Sequence, residues 1–187
     1  MYREKIKVLD CTIRDGGLIN NYQFTTDLVK AVYGAACDSG IDIIEIGKKL
    51  SESDEYTREK YGKWNFCDED DIKQVVESHE CENPPTLAVM YDVDRVDISS
   101  LLPSEQSVIG MVRTACYVPD IDKGLDLVKR SKDLGYQTTI NIMASSAAIE
   151  TELIEALEQV NGVAEVDYLY LVDSYGAFYS EQVTSYL

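Results

Sequence analysis

At 187 residues, 45% of them hydrophobic, the chain is long enough for one domain with a sizeable core, and no linker-like stretch divides it. Thirty-four acidic residues against 17 basic ones give a net charge of −17, which repels phosphate backbones and anionic lipid surfaces and argues against nucleic-acid or membrane binding. No window approaches the length of a membrane span, the segment Met1–Lys5 lacks the apolar core of a signal peptide, and the five cysteines form no close pair, so reduced thiols, a cytoplasmic location and no cysteine-built zinc site are expected.

A first strand is expected through Ile6, Val8 and Leu9, and it delivers Asp10, Arg14 and Asp15 just ahead of Gly16 and Gly17. Charge at that density is tolerated where a strand end faces a polar site, and paired glycines let the backbone turn sharply or approach a ligand. The run Asp10-Cys11-Thr12-Ile13-Arg14-Asp15-Gly16 resembles the signature that opens the barrel of the HMGL-like (DRE-TIM) metallolyases. That superfamily includes the 4-hydroxy-2-oxovalerate aldolases, the 3-hydroxy-3-methylglutaryl-CoA lyases and the isopropylmalate synthases. The resemblance implies that Asp15 is a ligand of a divalent metal, Mn2+ or Mg2+, and that Arg14 steadies an enolate oxygen. Cys11, within the signature, reads as a small buried hydrophobe rather than a nucleophile.

Asn20, Asn21 and Tyr22 follow in a loop, either as substrate contacts or as residues that satisfy turn geometry and cover the core. Thr25 or Thr26 caps a helix with Leu28, Val29, Val32, Tyr33 and Ala36 on one stripe, ended by Gly40. The second strand, 41–47, alternates so that Ile41, Ile43, Glu45 and Gly47 share one face. Glu45 resembles the acid of the superfamily's Glu-x-Gly, which lies in the active-site cavity; a solvated strand end is the other reading. Residues 48–66 form a polar lid or partner-facing insertion. A helix of about twelve residues starts at Asp68 and has His79 at its end, where an imidazolium suits the helix dipole and stands apart from catalysis.

Residues 86–92 and 107–114 are the third and fourth strands. Arg113 offers paired donors that match a substrate carboxylate, or else forms an ion pair with Glu45 or Asp15. A helix over 121–134 leads to a fifth strand, 137–143, whose Asn141 is either a cavity-wall residue or a structural hydrogen-bonder. After another amphipathic helix, a sixth strand, 167–172, runs into Asp173-Ser174-Tyr175-Gly176. This element resembles the superfamily's Asp-Ser-x-Gly, which places Asp173 and Ser174 in the active-site wall.

Strand, loop and helix thus recur six times, with polar residues at strand ends. That pattern predicts a parallel sheet of the (β/α)8 TIM-barrel type with about six of the eight units, forming one partial domain over residues 1–187. The superfamily's His-x-His pair on the seventh strand has no counterpart here, and Leu18 stands where the oxovalerate aldolases carry a histidine base. The expected function is a metal-dependent aldolase or lyase that cleaves or forms a carbon–carbon bond next to a 2-oxo acid. Arg14, Asp15 and Glu45 are then the catalytic group, with Tyr22 or Glu45 as base. Asn20, Asn21, Tyr22, Arg113, Asn141, Asp173 and Ser174 are the expected substrate contacts. The vacant strand positions point to self-association as a homo-oligomer. The alternative is a non-catalytic barrel remnant that serves as a binding or assembly module.

Overall fold

The computed structural model describes residues 6–96 and 98–186. Six strands, β1 (Leu9–Asp10), β2 (Ile43–Lys48), β3 (Thr86–Asp92), β4 (Met111–Cys116), β5 (Gln137–Ile142) and β6 (Tyr168–Leu171), form one sheet in chain order. Every neighbouring pair is parallel. Sequential order with helical crossovers is the topology of a barrel, and the sheet curls as a partial (β/α)8 barrel. Among the described residues, no helix is long and apolar enough to cross a membrane.

The crossovers contain α1 (Thr12–Asn20), α2 (Thr26–Ser39), α3 (Arg58–Tyr61), α4 (Glu69–Val76), α5 (Ile121–Asp133), α6 (Glu150–Asn161) and α7 (Ser180–Tyr186). The Thr25 hydroxyl accepts from the Leu28 N–H at 3.2 Å and opens α2, while Asp68 accepts from the Asp71 N–H at 2.8 Å and opens α4. Gly40, at φ 72°, closes α2 in the left-handed conformation that glycine reaches without a Cβ penalty.

Side-chain alternation divides the sheet into two faces. Ile44, Ile46, Leu87, Val89 and Val112 pack on α2, α4 and α5 through Val29, Tyr33, Ile72 and Leu127. Ile140 and Ile142 do the same with Leu125, Val128 and Leu153. The concave face carries a smaller apolar floor of Ile43, Ala88 and Met111, edged by Leu9 and Tyr168. Above that floor, toward the strand carboxyl ends, the inward side chains include the buried polar residues Glu45, Arg113, Thr139 and Asn141.

Several boundaries differ from expectation. Gly16 and Gly17 do not form a turn after β1; they lie inside α1. Asp10 starts that helix by accepting from the Thr12 N–H at 3.0 Å and the Thr12 hydroxyl at 2.8 Å. Gly17 is required because a Cβ there would run into the Tyr22 ring, which folds back on the helix. The fourth strand begins at Met111 rather than Ser107, because Ser107 and the Val108 N–H are drawn to Glu69 at the start of α4. The fourth helix ends at Val76, and His79 lies beyond it, with Nε2 3.1 Å from Asp38 Oδ1. Residues 48–66 hold α3 and a 3-10 turn that buries Trp64, whose indole donates to the Phe24 carbonyl at 3.1 Å.

Candidate active site at the strand carboxyl ends

Glu45 is the centre of the polar cluster. It is wholly buried on β2, a position that an isolated carboxylate tolerates only with compensating donors. Three reach its Oε2: Arg14 Nε at 2.6 Å from α1, Arg113 Nη1 at 2.6 Å from β4, and the Cys11 thiol at 3.3 Å. Parallel register explains the meeting. Glu45 pairs with Ala88, and the β3–β4 ladder then sets Met90 beside Arg113, so both charged residues project from the concave face.

Arg113 is held from a second side. Its Nη2 donates to Asn141 Oδ1 at 2.9 Å, and its guanidinium lies 4.7 Å from the centre of the Tyr170 ring on β6. The Asn141 amide donates in turn to the Thr114 carbonyl at 3.0 Å and the Thr139 hydroxyl at 3.1 Å. Asn141 is therefore both a concave-face residue and a structural hydrogen-bonder. Arg113 likewise makes the ion pair with Glu45.

Arg14 is the more accessible arginine, its side chain 17% exposed against 5% for Arg113. It also pairs with Asp15, which projects toward solvent at 56% exposure. Burial alone would lower the Arg14 pKa, but the Glu45 carboxylate outweighs that and raises it, so Arg14 is a permanent cation. Burial pushes the Cys11 thiol up to about 11, with Glu45 adding to the effect, so it is protonated at neutral pH.

Tyr22 is buried, and burial drives its phenol pKa upward despite the opposing charge of Arg14. It is therefore a neutral hydroxyl that holds its proton and offers a hydrogen bond, which disfavours the expected role as base. Its backbone, at φ 59°, follows Asn21 at φ 54° in the left-handed region, an unusual setting for a bulky side chain. Asn21 is exposed and ends α1, whereas the buried Asn20 Oδ1 has no hydrogen-bond partner.

Among the described residues, Glu45 Oε1, Arg113 Nε and the Tyr22 hydroxyl are also buried without a partner, as are atoms of Asn65, Thr114 and Ser131. Tyr22 feels the charges of Arg14, Asp15 and Glu45, so the atoms of Glu45, Arg113 and Tyr22 belong to one cluster. Unsatisfied buried polar groups are costly in a folded protein, so each such atom calls for an explanation.

Asp173 and Ser174 are placed differently. Asp173 accepts from the Phe178 N–H at 2.8 Å and from the Ser146 hydroxyl, and these bonds hold its carboxyl down at about 2. Ser174 accepts from the Ala144 N–H at 2.9 Å. Both tie the β6 loop to the β5 loop, beside the arginine cluster rather than within it.

Sequence reading missed Lys48. It ends β2 and is partly buried, with its ammonium 5.5 Å from the centre of the Tyr22 ring. The glycine two residues after Glu45 was the available signal, because a glycine inside a strand marks a bulge.

The described residues do not by themselves fit a divalent metal. No group of three His, Cys, Asp or Glu side chains converges among them, and Asp15, the expected ligand, is paired with Arg14. A cavity of about 580 Å³ lies elsewhere, between Lys49, Arg58, Asp68 and Leu102. Its arginine is already committed to Glu52, Asp68 and Asp71.

No family profile matches the chain. It is 24% identical over 185 residues to a 4-hydroxy-2-oxovalerate aldolase of Moorella thermoacetica, covering 98% of this chain and 52% of that protein. It is 26% identical over 174 residues to 4-hydroxy-2-oxovalerate aldolase 5 of Rhodococcus opacus, covering 92% and 47%. The chain thus spans about half the length of the curated relatives it matches. Among solved structures, the amino-terminal domain of a presumed aldolase from Bacteroides vulgatus superposes with a TM-score of 0.78 at 26% identity, over 96% of this chain and 58% of that one. A xylanase of Thermotoga petrophila, at TM-score 0.51 and 12% identity, shares the fold alone. In sequence and in fold, the chain resembles the amino-terminal half of the 4-hydroxy-2-oxovalerate aldolases, as an HMGL-like partial barrel.

Proposed function

We propose that residues 1–187 form one partial barrel domain that supplies the carbonyl-binding side of an aldolase-type carbon–carbon lyase site. The substrate class is a 4-hydroxy-2-oxo acid in cleavage, or a 2-oxo acid such as pyruvate in the reverse direction. The observation that carries this reading is the convergence of Arg14 and Arg113 on buried Glu45 at the strand carboxyl ends, with polar atoms left unpaired around them. In (β/α)8 barrels that end of the strands is where active sites are built.

The chemistry follows from charge. In cleavage, the 4-hydroxyl gives its proton to water, the C3–C4 bond breaks to release an aldehyde, the electron pair moves onto the oxygen of C2, and a proton from water then adds to C3. Arg14, permanently charged and open to a ligand, donates hydrogen bonds to that developing oxyanion. A preorganised donor of this kind is typically worth about 3–4 kcal/mol in the transition state. Glu45 and Arg113 fix the Arg14 fork, since a guanidinium bound on one edge keeps the rest of its plane oriented. The neutral Tyr22 phenol keeps its proton and offers a hydrogen bond beside the enolate.

The divalent metal implied by the resemblance would need ligands beyond Asp15, and no step here runs through it. Self-association as a homo-oligomer is part of the proposal. The second reading is a non-catalytic binding module; among the described residues no three candidate metal ligands converge.

Titration of the 15N-labelled chain with pyruvate tests the proposal. Millimolar pyruvate is expected to shift the Arg14 Nε–Hε resonance more than those of Arg58, Arg95 and Arg130. Shifts that do not single out Arg14 contradict the carbonyl-binding role and favour the module.

A further inference from the structure

The arginines of the site already hold carboxylate or amide partners, Glu45 and Asn141 for Arg113, and Glu45 and Asp15 for Arg14, and the free edge of Arg14 is assigned to the carbonyl oxygen. A 2-oxo acid brings a second charge, its carboxylate, and that charge needs a cation of its own. Resting on the aldolase-type reading above, we propose that Lys48 binds the substrate carboxylate, and that the irregularity in β2 exists to aim it there.

The register carries the argument. Strict alternation from Glu45 would put Gly47 on the concave face and Lys48 on the helix face. Instead the pairing with β3 slips between Glu45 and Gly47: Glu45 pairs with Ala88, Gly47 with Val89 and Lys48 with Met90. Ala88 lies on the concave floor and Val89 in the helix-side core, so Met90 and its partner Lys48 are on the concave face with Glu45. Bulges recur beside active sites because they re-aim one side chain without dissolving the strand.

The bulge is fixed from outside. A Cβ on Gly47 would strike the Trp64 carbonyl oxygen and come within 2.7 Å of Cys67 Sγ, so only glycine lets the 64–67 segment lie flush on the strand. The Lys48 carbonyl accepts from the Cys67 N–H at 2.8 Å, and the Lys49 N–H donates to the Met90 carbonyl at 3.0 Å. The backbone that presents Lys48 is therefore pinned on both sides.

The ammonium is unclaimed. Among the described residues it has no carboxylate within ion-pair distance, and it lies against the Tyr22 ring. Burial lowers its pKa; Asp92 and Glu45 favour the charged form, while Arg14 and Arg95 oppose it. An arriving carboxylate supplies the missing counter-charge and favours the charged ammonium. A compact ammonium presented on pinned backbone suits a single carboxylate.

Pyruvate affinity, measured by calorimetry on the chain and its variants, tests this. Lys48→Met is expected to weaken binding at least tenfold, and Lys48→Arg to stay within about threefold of the parent. Wild-type affinity should decline as pH rises toward 10, and the Lys48→Arg variant should flatten that decline, a readout that a purely structural role would not move. Lys48→Gln, with melting temperatures for all variants, separates lost binding from lost folding. Equal affinity of wild type and Lys48→Met overturns the proposal alone. A covalent pyruvate adduct on Lys48 trapped by borohydride overturns it in favour of imine chemistry. Failure of the wild type to bind pyruvate at all overturns the 2-oxo acid reading, and the role of Lys48 with it.

Discussion

Replacing Glu45 by Gln preserves the side chain's shape and deletes the charge that holds Arg14 and Arg113 together. Both guanidinium contacts are 2.6 Å long, to a carboxylate with no exposure. At an effective dielectric constant of about 20, each unit-charge pair near 4 Å is worth roughly 4 kcal/mol before desolvation. Desolvating the carboxylate offsets much of that sum, but the cations stay buried after the substitution and repel one another. Breaking such a pair from one side costs about 3–5 kcal/mol. For a domain of this size that corresponds to a fall in Tm of about 6–20 °C. Equilibrium urea unfolding followed by circular dichroism measures it. Because the group is buried, the loss should change little between low and moderate salt. The Glu45→Gln/Arg113→Gln double variant should be more stable than the sum of the single changes by about 1–3 kcal/mol. A loss below 1 kcal/mol for Glu45→Gln, or strict additivity in the cycle, would refute the buried charge cluster as the keystone of the site.

Two further outcomes follow from the same geometry. Gly47→Ala should disrupt the β2 bulge and destabilise the chain by about 1–3 kcal/mol, the usual range for forced overpacking, and it should weaken pyruvate binding alongside; unchanged urea midpoint and affinity would contradict the fixed bulge. The Cys11 thiol, pushed up to about 11 by burial and by Glu45, should react with maleimide slowly at pH 7, with the rate rising about tenfold per pH unit until near pH 11. A plateau below pH 9, assigned to Cys11 by peptide mapping, would show that the local charge balance is misjudged.

Much of the fold is legible in the sequence because it rests on local periodicity and punctuation. The run 86–92 is a continuous apolar strand and occupies those residues as β3, while Thr25, Asp68 and Gly40 mark their helix ends by side-chain oxygens and a positive φ. What the sequence conceals depends on distant contacts. Gly16 and Gly17 read as a turn because glycine disfavours helices, yet the approach of the Tyr22 ring demands Gly17 inside α1. The start of β4 moves because Glu69, far away in the chain, captures Ser107.

The site divides in the same way. Its central residues, Arg14, Glu45 and Arg113, are recognisable as charges near strand ends, but whether Arg113 faces a substrate or Glu45 depends on the alignment of β2 through β4. Asp173 and Ser174 sit in a motif of the expected kind, and the structure gives them loop-tying bonds that no local pattern announces. Lys48 stays hidden for the simplest reason, since alternation assigns it to the opposite face and only the slipped ladder reverses that.

The central claim, that this cluster stabilises an enolate, is tested most directly by proton–deuterium exchange at the methyl group of pyruvate, followed by proton NMR in D2O with the wild-type chain. The expected result is loss of the methyl signal faster than in a protein-free blank, with the acceleration removed by Arg14→Ala in a variant that retains its fold. Exchange at the blank rate under saturating pyruvate would contradict the account and leave a pyruvate-binding domain without aldolase chemistry.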